Sequence, residues 1–307
     1  MGITRLGNIA LYNNTLSDVA GVQRRLAELQ EQISSGIKAK DFRGLNGQVE
    51  QFVHLEAKMR TTSVQMENNQ LNISRLKTAD QAMGQAVDIA DRMENLIAQA
   101  RSGANGTSTD FAMIMRGYLD ELGGAMNINF EGRYLFGGTN TSTPPVPNPQ
   151  ISTQSIGTPD ASYYAGAQQN LVYFSDERTQ YEFPVRADDP AFQKIIAAAH
   201  AAIQAFGSGT NGAPDGTGLG NALDLMQEGQ ADLNVARARL NSVTLNVEQA
   251  NETLTSLNLY WKSVTEQVSK TDILAASTEV ANNEAILQAA FQVFSRLSQL
   301  RLSDYLR

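Results

Sequence analysis

The 307-residue sequence predicts a mainly α protein: a long antiparallel, coiled-coil-like helical bundle with a small α+β domain inserted at one end. Three observations predict it. All eight prolines lie between Pro144 and Pro214, so the strongest helix breaker is missing from both flanks. From Met226 onward, alternating steps of three and four fall almost always on apolar residues, the repeat of a coiled-coil seam. Between the flanks, "NLVYFSDERTQYEFPV" carries two β-rich runs around a polar, turn-prone stretch.

In chain order, the first amphipathic stripe is Ile9, Tyr12, Leu16 and Val19, then Val22, Leu26, Leu29 and Ile33, with one shortened step between Val19 and Val22. A second, patchier seam runs from Phe52 through Leu55, Met59, Thr62, Met66, Asn69, Ile73, Leu76, Asp80, Met83, Val87, Ala90 and Glu94 to Ile97. Its polar members Asn69, Asp80 and Glu94 stand where buried polar groups fix register at some cost in stability. A third helix is expected behind a cap signal at Thr109 and Asp110, with Phe111, Ile114, Met115, Tyr118, Leu122 and Met126 on one face. Gly137 and Gly138 are expected to turn the chain out of the helical part.

In the middle, Leu171 to Phe174 and Tyr181 to Val185 read as a hairpin. Pro190 behind Asp188 or Asp189 reads as a helix start, with Phe192, Ile195, Ile196, Ala199, Ile203 and Phe206 on one face. The long stripe then runs from Met226 to Ala275 through Leu233, Leu240, Val247, Leu254, Trp261 and Val268, weakened only at Gly229 and Thr271. As one helix it would span on the order of 75 Å. Ile286, Ala290, Val293, Leu297 and Leu300 form a matching terminal stripe. The expected divisions are 1–42, 43–138, 139–215, 216–275 and 276–307.

Composition narrows the function classes. With 42% hydrophobic and 18% charged residues the chain can fold, and a net charge of -8 repels a phosphate backbone, so nucleic acid is not an expected partner. No cysteine is present, which excludes disulfides, thiolate catalysis and Cys-based metal sites. No run of about 18 apolar residues exists for membrane insertion. The N-terminus "MGITRLGNIALYNN" has no Sec-type signal, so any export is expected without a cleaved peptide. His54 and His200 are isolated in helical patterns, and Asp188 and Asp189 are explained by capping. No motif for a phosphate loop, nucleophile elbow or metalloprotease occurs, so neither an enzymatic activity nor a cofactor is expected.

Two terminal helices paired only with each other would each leave apolar edges wet, and so thin a pair is marginal. The terminal segments are therefore expected to be disordered in a monomer and helical in a polymer of copies, with Ile9, Leu16, Val19, Leu26, Ile33, Ile286, Val293, Leu297, Leu300 and Leu306 as the assembly interface.

Four co-linear stretches, "QEQISSG", "ADRMENLIAQARSGANG", "FEGRYLFGGTNT" and the closing "TDILAASTEVANNEAILQAAFQVFSRLSQLRLSDYLR", resemble the bacterial flagellin family, which includes filament flagellins and the hook-associated junction proteins. Gln30 to Gly36 and the "LSQLRLSDYLR" ending are more similar to the junction members. The Asp-Asp-Pro or Asp-Asp-Ala stretch that commonly follows the N-terminal Ser-Gly is replaced by "KAKDFRGLNG", which leaves junction and filament roles both open. The resemblance implies a structural axial protein of the flagellum, exported uncleaved through the type III apparatus with a chaperone to the extracellular hook-filament junction. It also implies partners among copies of itself, hook-associated proteins and flagellin. In that arrangement 1–42 and 276–307 are assembly helices, 43–138 and 216–275 a stalk, and 139–215 an outer domain. A cytoplasmic signalling rod would share the heptads, but it needs a tight turn where this chain holds some seventy residues of proline-bearing sequence.

Overall fold

The computed structural model describes residues 2–38, 49–103, 108–148, 150, 157–176, 179–209 and 213–305, with backbone alone at 2–12, 108–109 and 296–305. Six helices carry the described chain: α1 (Gly2–Ser35), α2 (Val49–Arg101), α3 (Ser108–Met126), α4 (Pro190–Gly207), α5 (Gly216–Ser269) and α6 (Ile273–Tyr305). Two antiparallel hairpins complete it, β1 (Asn129–Phe130) with β2 (Arg133–Tyr134) and β3 (Val172–Phe174) with β4 (Gln180–Glu182). The fold class is the one expected: a mainly α helical bundle with a small α+β portion. The chain divides into two compact units, one formed by Met1–Thr61 with Leu257–Arg307 and the other by Thr62–Ser256.

The Thr62–Ser256 unit holds the large apolar core. On its stretch of α5, the steps of three and four put Met226, Leu233, Ala236, Leu240, Val247 and Leu254 inside. Facing them on α2 are Ile73, Leu76, Met83, Ala90, Met93 and Ile97. The polar members of the α2 seam are paired. Asp80 accepts from Arg237 through two bonds of 2.7 and 3.1 Å, and Glu94 accepts from Gln227 at 2.7 Å. Lys77 reaches Glu248 at 2.8 Å, so partner numbers fall on α5 as they rise on α2, and the two helices run antiparallel. Asn69, fully buried, donates to the Ser175 carbonyl at 3.0 Å. Because the guanidinium of Arg237 hydrogen-bonds it, the Asp80 carboxyl is held below its ordinary range.

α4 starts as expected, with Pro190 in the first turn and Asp189 as N-cap, its carboxylate accepting from the Ala191 N–H. Ten of its residues are buried, Phe192, Ile195, Ile196 and Phe206 among them, and Phe206 stacks on Phe111 of α3 at 4.4 Å between centroids. Gly229 explains its place in the α5 stripe here. A Cβ on it would lie 2.8 Å from Ile195 Cγ1 and 3.1 Å from the Ile195 nitrogen, so a hydrogen is what lets α4 cross. Around the hairpins, Phe136 meets Phe183 and Phe192 edge-on, and the buried Tyr163 hydroxyl donates to the Ala187 carbonyl at 2.8 Å.

Two expectations are corrected. The third helix already includes Thr109 and Asp110, which stand in its first turn rather than ahead of it, and the residues just before Ser108 lie outside the described ones. The long stripe does not form one helix to Ala275: α5 stops at Ser269 and α6 starts at Ile273, because backbone groups of 269–271 are diverted to partners across the chain.

Candidate assembly surface

In the unit formed by Met1–Thr61 and Leu257–Arg307, α1 and α6 pack on each other. The end of α1 lies beside the start of α6, where the N–H of Thr271 donates to the Gly36 carbonyl at 3.0 Å. Further along, Arg25 donates to Glu279 through two bonds of 2.8 and 3.1 Å, so the helices run antiparallel. This pairing, chiefly through its hydrogen bonds, pushes the Arg25 guanidinium up and the Glu279 carboxyl down from their ordinary values. On the same unit's shares of α2 and α5, the Asn258 side chain donates to the Met59 carbonyl at 3.3 Å.

What sets this unit apart is how little apolar surface it encloses. Among its described residues, only Leu29, Leu55, Val268 and Ala276 are buried hydrophobics. Eleven large apolar side chains are exposed: Leu16, Ile37, Val53, Leu257, Leu259, Tyr260, Ile273, Leu274, Ile286, Phe291 and Val293. Scattered exposed leucines are ordinary, but apolar exposure this dense beside so few buried hydrophobics among the described residues makes this unit the candidate for an interaction surface.

The expected interface residues fall within this picture as follows. Leu16, Ile286 and Val293 are exposed at 53%, 54% and 52%, and Val19, Leu26 and Ile33 are half-buried. Ile9, Leu297 and Leu300 lie on the described backbone of α1 and α6 without described side chains, and Leu306 lies outside the described residues. The structure thus brings the two helices together and leaves apolar edges open on both. Sequence reasoning missed Leu274, the most exposed of the set at 80%, because the unbroken stripe disguised the start of α6. It also missed Leu259 and Tyr260, off the seam on the outer side of α5. Among the described residues there is no cluster of three or more His, Cys, Asp or Glu able to hold a metal, and no helix is long and apolar enough to cross a membrane.

Residues 7–141 match the family described as the bacterial flagellin N-terminal helical region. Among solved structures the chain is similar to a protein of Vibrio parahaemolyticus described as a flagellar hook-associated protein, with 14% identity and a TM-score of 0.57 over 74% of this chain and 98% of that one. It is similar to FlgL of Bacillus cereus, with 15% identity and a TM-score of 0.54 over 70% of this chain and 99% of that one. A third likeness is to FlgL of Xanthomonas campestris, with 14% identity and a TM-score of 0.51 over 69% and 98% of the two chains. At these identities the likeness is one of fold. No curated protein matches the chain in sequence.

Proposed function

We propose that this chain is a structural axial protein of the bacterial flagellum that polymerises through its terminal helices and joins hook to filament. The observation that carries the reading is the unit formed by Met1–Thr61 and Leu257–Arg307, where eleven large apolar side chains are exposed and only Leu29, Leu55, Val268 and Ala276 are buried hydrophobics among the described residues. Burying a Val, Leu, Ile or Phe is worth about 1.5–3 kcal/mol, so covering half of each side chain recovers roughly 10 kcal/mol per copy. That is of the order of the free energy lost on association. Charge is arranged compatibly: this unit holds 13 Lys and Arg against 11 Asp and Glu, a net +2, whereas the Thr62–Ser256 unit holds 11 against 21, a net -10. Copies can therefore bring the first units together without like-charge repulsion while the acidic units stay solvated.

The flagellin match over residues 7–141 and the FlgL-like fold support an axial role over a catalytic one. Ile9, Leu16, Val19, Leu26 and Ile33 would then pack with Ile286, Val293, Leu297, Leu300 and Leu306, within and between copies. Its partners would be its own copies, the neighbouring hook-associated proteins and flagellin, and a chaperone and the type III apparatus would deliver it uncleaved. Immunogold labelling tests the location: signal confined to the distal end of the hook supports the junction role, and labelling along the filament shifts the reading to flagellin. Deleting residues 287–307 tests assembly: the product should be a soluble monomer with its Thr62–Ser256 core intact that no longer polymerises, and unchanged polymerisation would count against the proposal.

A further inference from the structure

The end of α1 and the break between α5 and α6 are tied by their backbones. Ile37 faces Lys270 in an isolated antiparallel bridge. It is flanked by the Lys38 N–H donating to the Ser269 carbonyl at 2.7 Å and the Thr271 N–H donating to the Gly36 carbonyl at 3.0 Å. In that pattern residues 37 and 270 are a non-hydrogen-bonded pair, whose Cα atoms sit about 4.5 Å apart.

Each side of the bridge leaves its helix for a local reason. Gly36 closes α1 at φ 69°, with its N–H donating to the Gln32 carbonyl, a left-handed cap that glycine accepts freely. Asp272 opens α6, its carboxylate accepting from the Ala275 N–H at 3.0 Å and its carbonyl from the Ala276 N–H at 2.8 Å. The apolar stripe does not demand a break, since its steps continue to Ala275, so what the interruption gains is the pair of cross-chain bonds. Around the bridge, Ile37, Ile273 and Leu274 are exposed at 47%, 53% and 80%, so their packing does little to hold the joint at one angle.

Two independent breaks would let α1 and α6 turn separately. Bridged, they share one pivot.

We infer that residues 36–38 and 269–271 form a clip that makes the α1–α6 pair a single body, free to change its angle to α5 but not its internal register as copies assemble. This rests on the assembly reading above. Arg25 and Glu279 serve the same end further along the pair.

The absence of native cysteine makes the test clean. An Ile37→Cys/Lys270→Cys variant carries one thiol pair, placed within the Cα span that a disulfide accepts. Treated with oxidised glutathione as a dilute monomer, it should close an intramolecular disulfide. The oxidised chain should then polymerise to within about twofold of its own reduced form. Failure to close, or a tenfold loss of polymer on oxidation that reduction restores, overturns the clip. If the variant misfolds, the unmodified polymer decides: the N–H groups of Lys38 and Thr271 should exchange at least tenfold more slowly than in free peptide, and free-peptide rates there overturn the inference. If the unmodified chain forms no polymer at all, the assembly reading falls and takes the clip's role with it, whereas polymer from unmodified chain with none from the closed variant sinks the clip alone.

Discussion

Gly229 offers a test in which sequence and structure point in opposite directions. It stands inside α5, and in an exposed helix interior Gly→Ala gains up to about 1 kcal/mol from backbone entropy. Here the added methyl would lie 2.8 Å from Ile195 Cγ1, 3.1 Å from the Ile195 nitrogen and 3.2 Å from Lys194 Cβ. The Ile195 side chain can swing away, but its backbone nitrogen moves only if α4 moves, and α4 is held by ten buried residues. Overpacking of this kind costs about 1–3 kcal/mol. Gly229→Ala should therefore destabilise by about 1 kcal/mol net, and Gly229→Val by about 3 kcal/mol, because the branched side chain adds volume and loses helix propensity. Gly124 in α3 supplies the contrast, since nothing lies within 4 Å of a Cβ built on it, and Gly124→Ala should stabilise by up to about 1 kcal/mol. Urea unfolding followed by far-UV circular dichroism reads both as shifts in midpoint at constant slope. Equal stabilisation by the two alanines would refute the packing of α4 on α5.

Other consequences concern polar pairs in the same unit. Asp80 has a folded-state pKa below its unfolded one because Arg237 hydrogen-bonds its charged form, so its contribution is present above the unfolded pKa and lost as pH falls through the folded one. Asp80→Asn should cost about 0.5–1 kcal/mol at pH 7 for a half-buried pair still reached by solvent, with the gap to the parent closing as pH falls through the folded-state pKa in pH-dependent urea titrations. Tyr163→Phe should cost about 1–2 kcal/mol, because the buried Ala187 carbonyl loses its donor. Burial, aided by nearby Asp188, pushes the Tyr163 hydroxyl well up, and burial takes Tyr164 to about 12. Ultraviolet titration of the native protein should accordingly leave both neutral at pH 11, whereas ionisation near the ordinary value would contradict the burial.

Much of the fold was legible because it rests on local periodicity. The α5 stripe from Met226 to Val268, the cap at Asp189 before Pro190, and the hairpin around "SDERTQ" each follow from spacing and residue type within a few turns of chain. Asn69, Asp80 and Glu94 were readable as register residues, although not their partners Ser175, Arg237 and Gln227, which lie more than a hundred residues away. The break at 270–272 was hidden, since the apolar steps pass straight through it and the cause is pairing with Gly36 and Lys38. The β1–β2 hairpin was equally silent. Its strands hold two residues each, and its turn uses Glu131 at φ 51° beside Gly132, where the usual signal would be Asn or Asp before Gly. As for the assembly surface, the amphipathic ends announced an interface, but the exposure of Leu259, Tyr260 and Leu274 depends on which neighbours each helix meets.

The central claim is that the α1–α6 unit shelters too little of its own apolar surface and is completed by other copies. Residue-resolved amide exchange, compared between dilute chain and polymer, tests it most directly. The account predicts that residues 2–20 and 286–305 exchange in the dilute chain with free energies near zero, far faster than Leu76 or Leu240, and slow by at least a hundredfold on assembly. Protection of both terminal stretches in the dilute chain equal to that of Leu76 and Leu240 would contradict it.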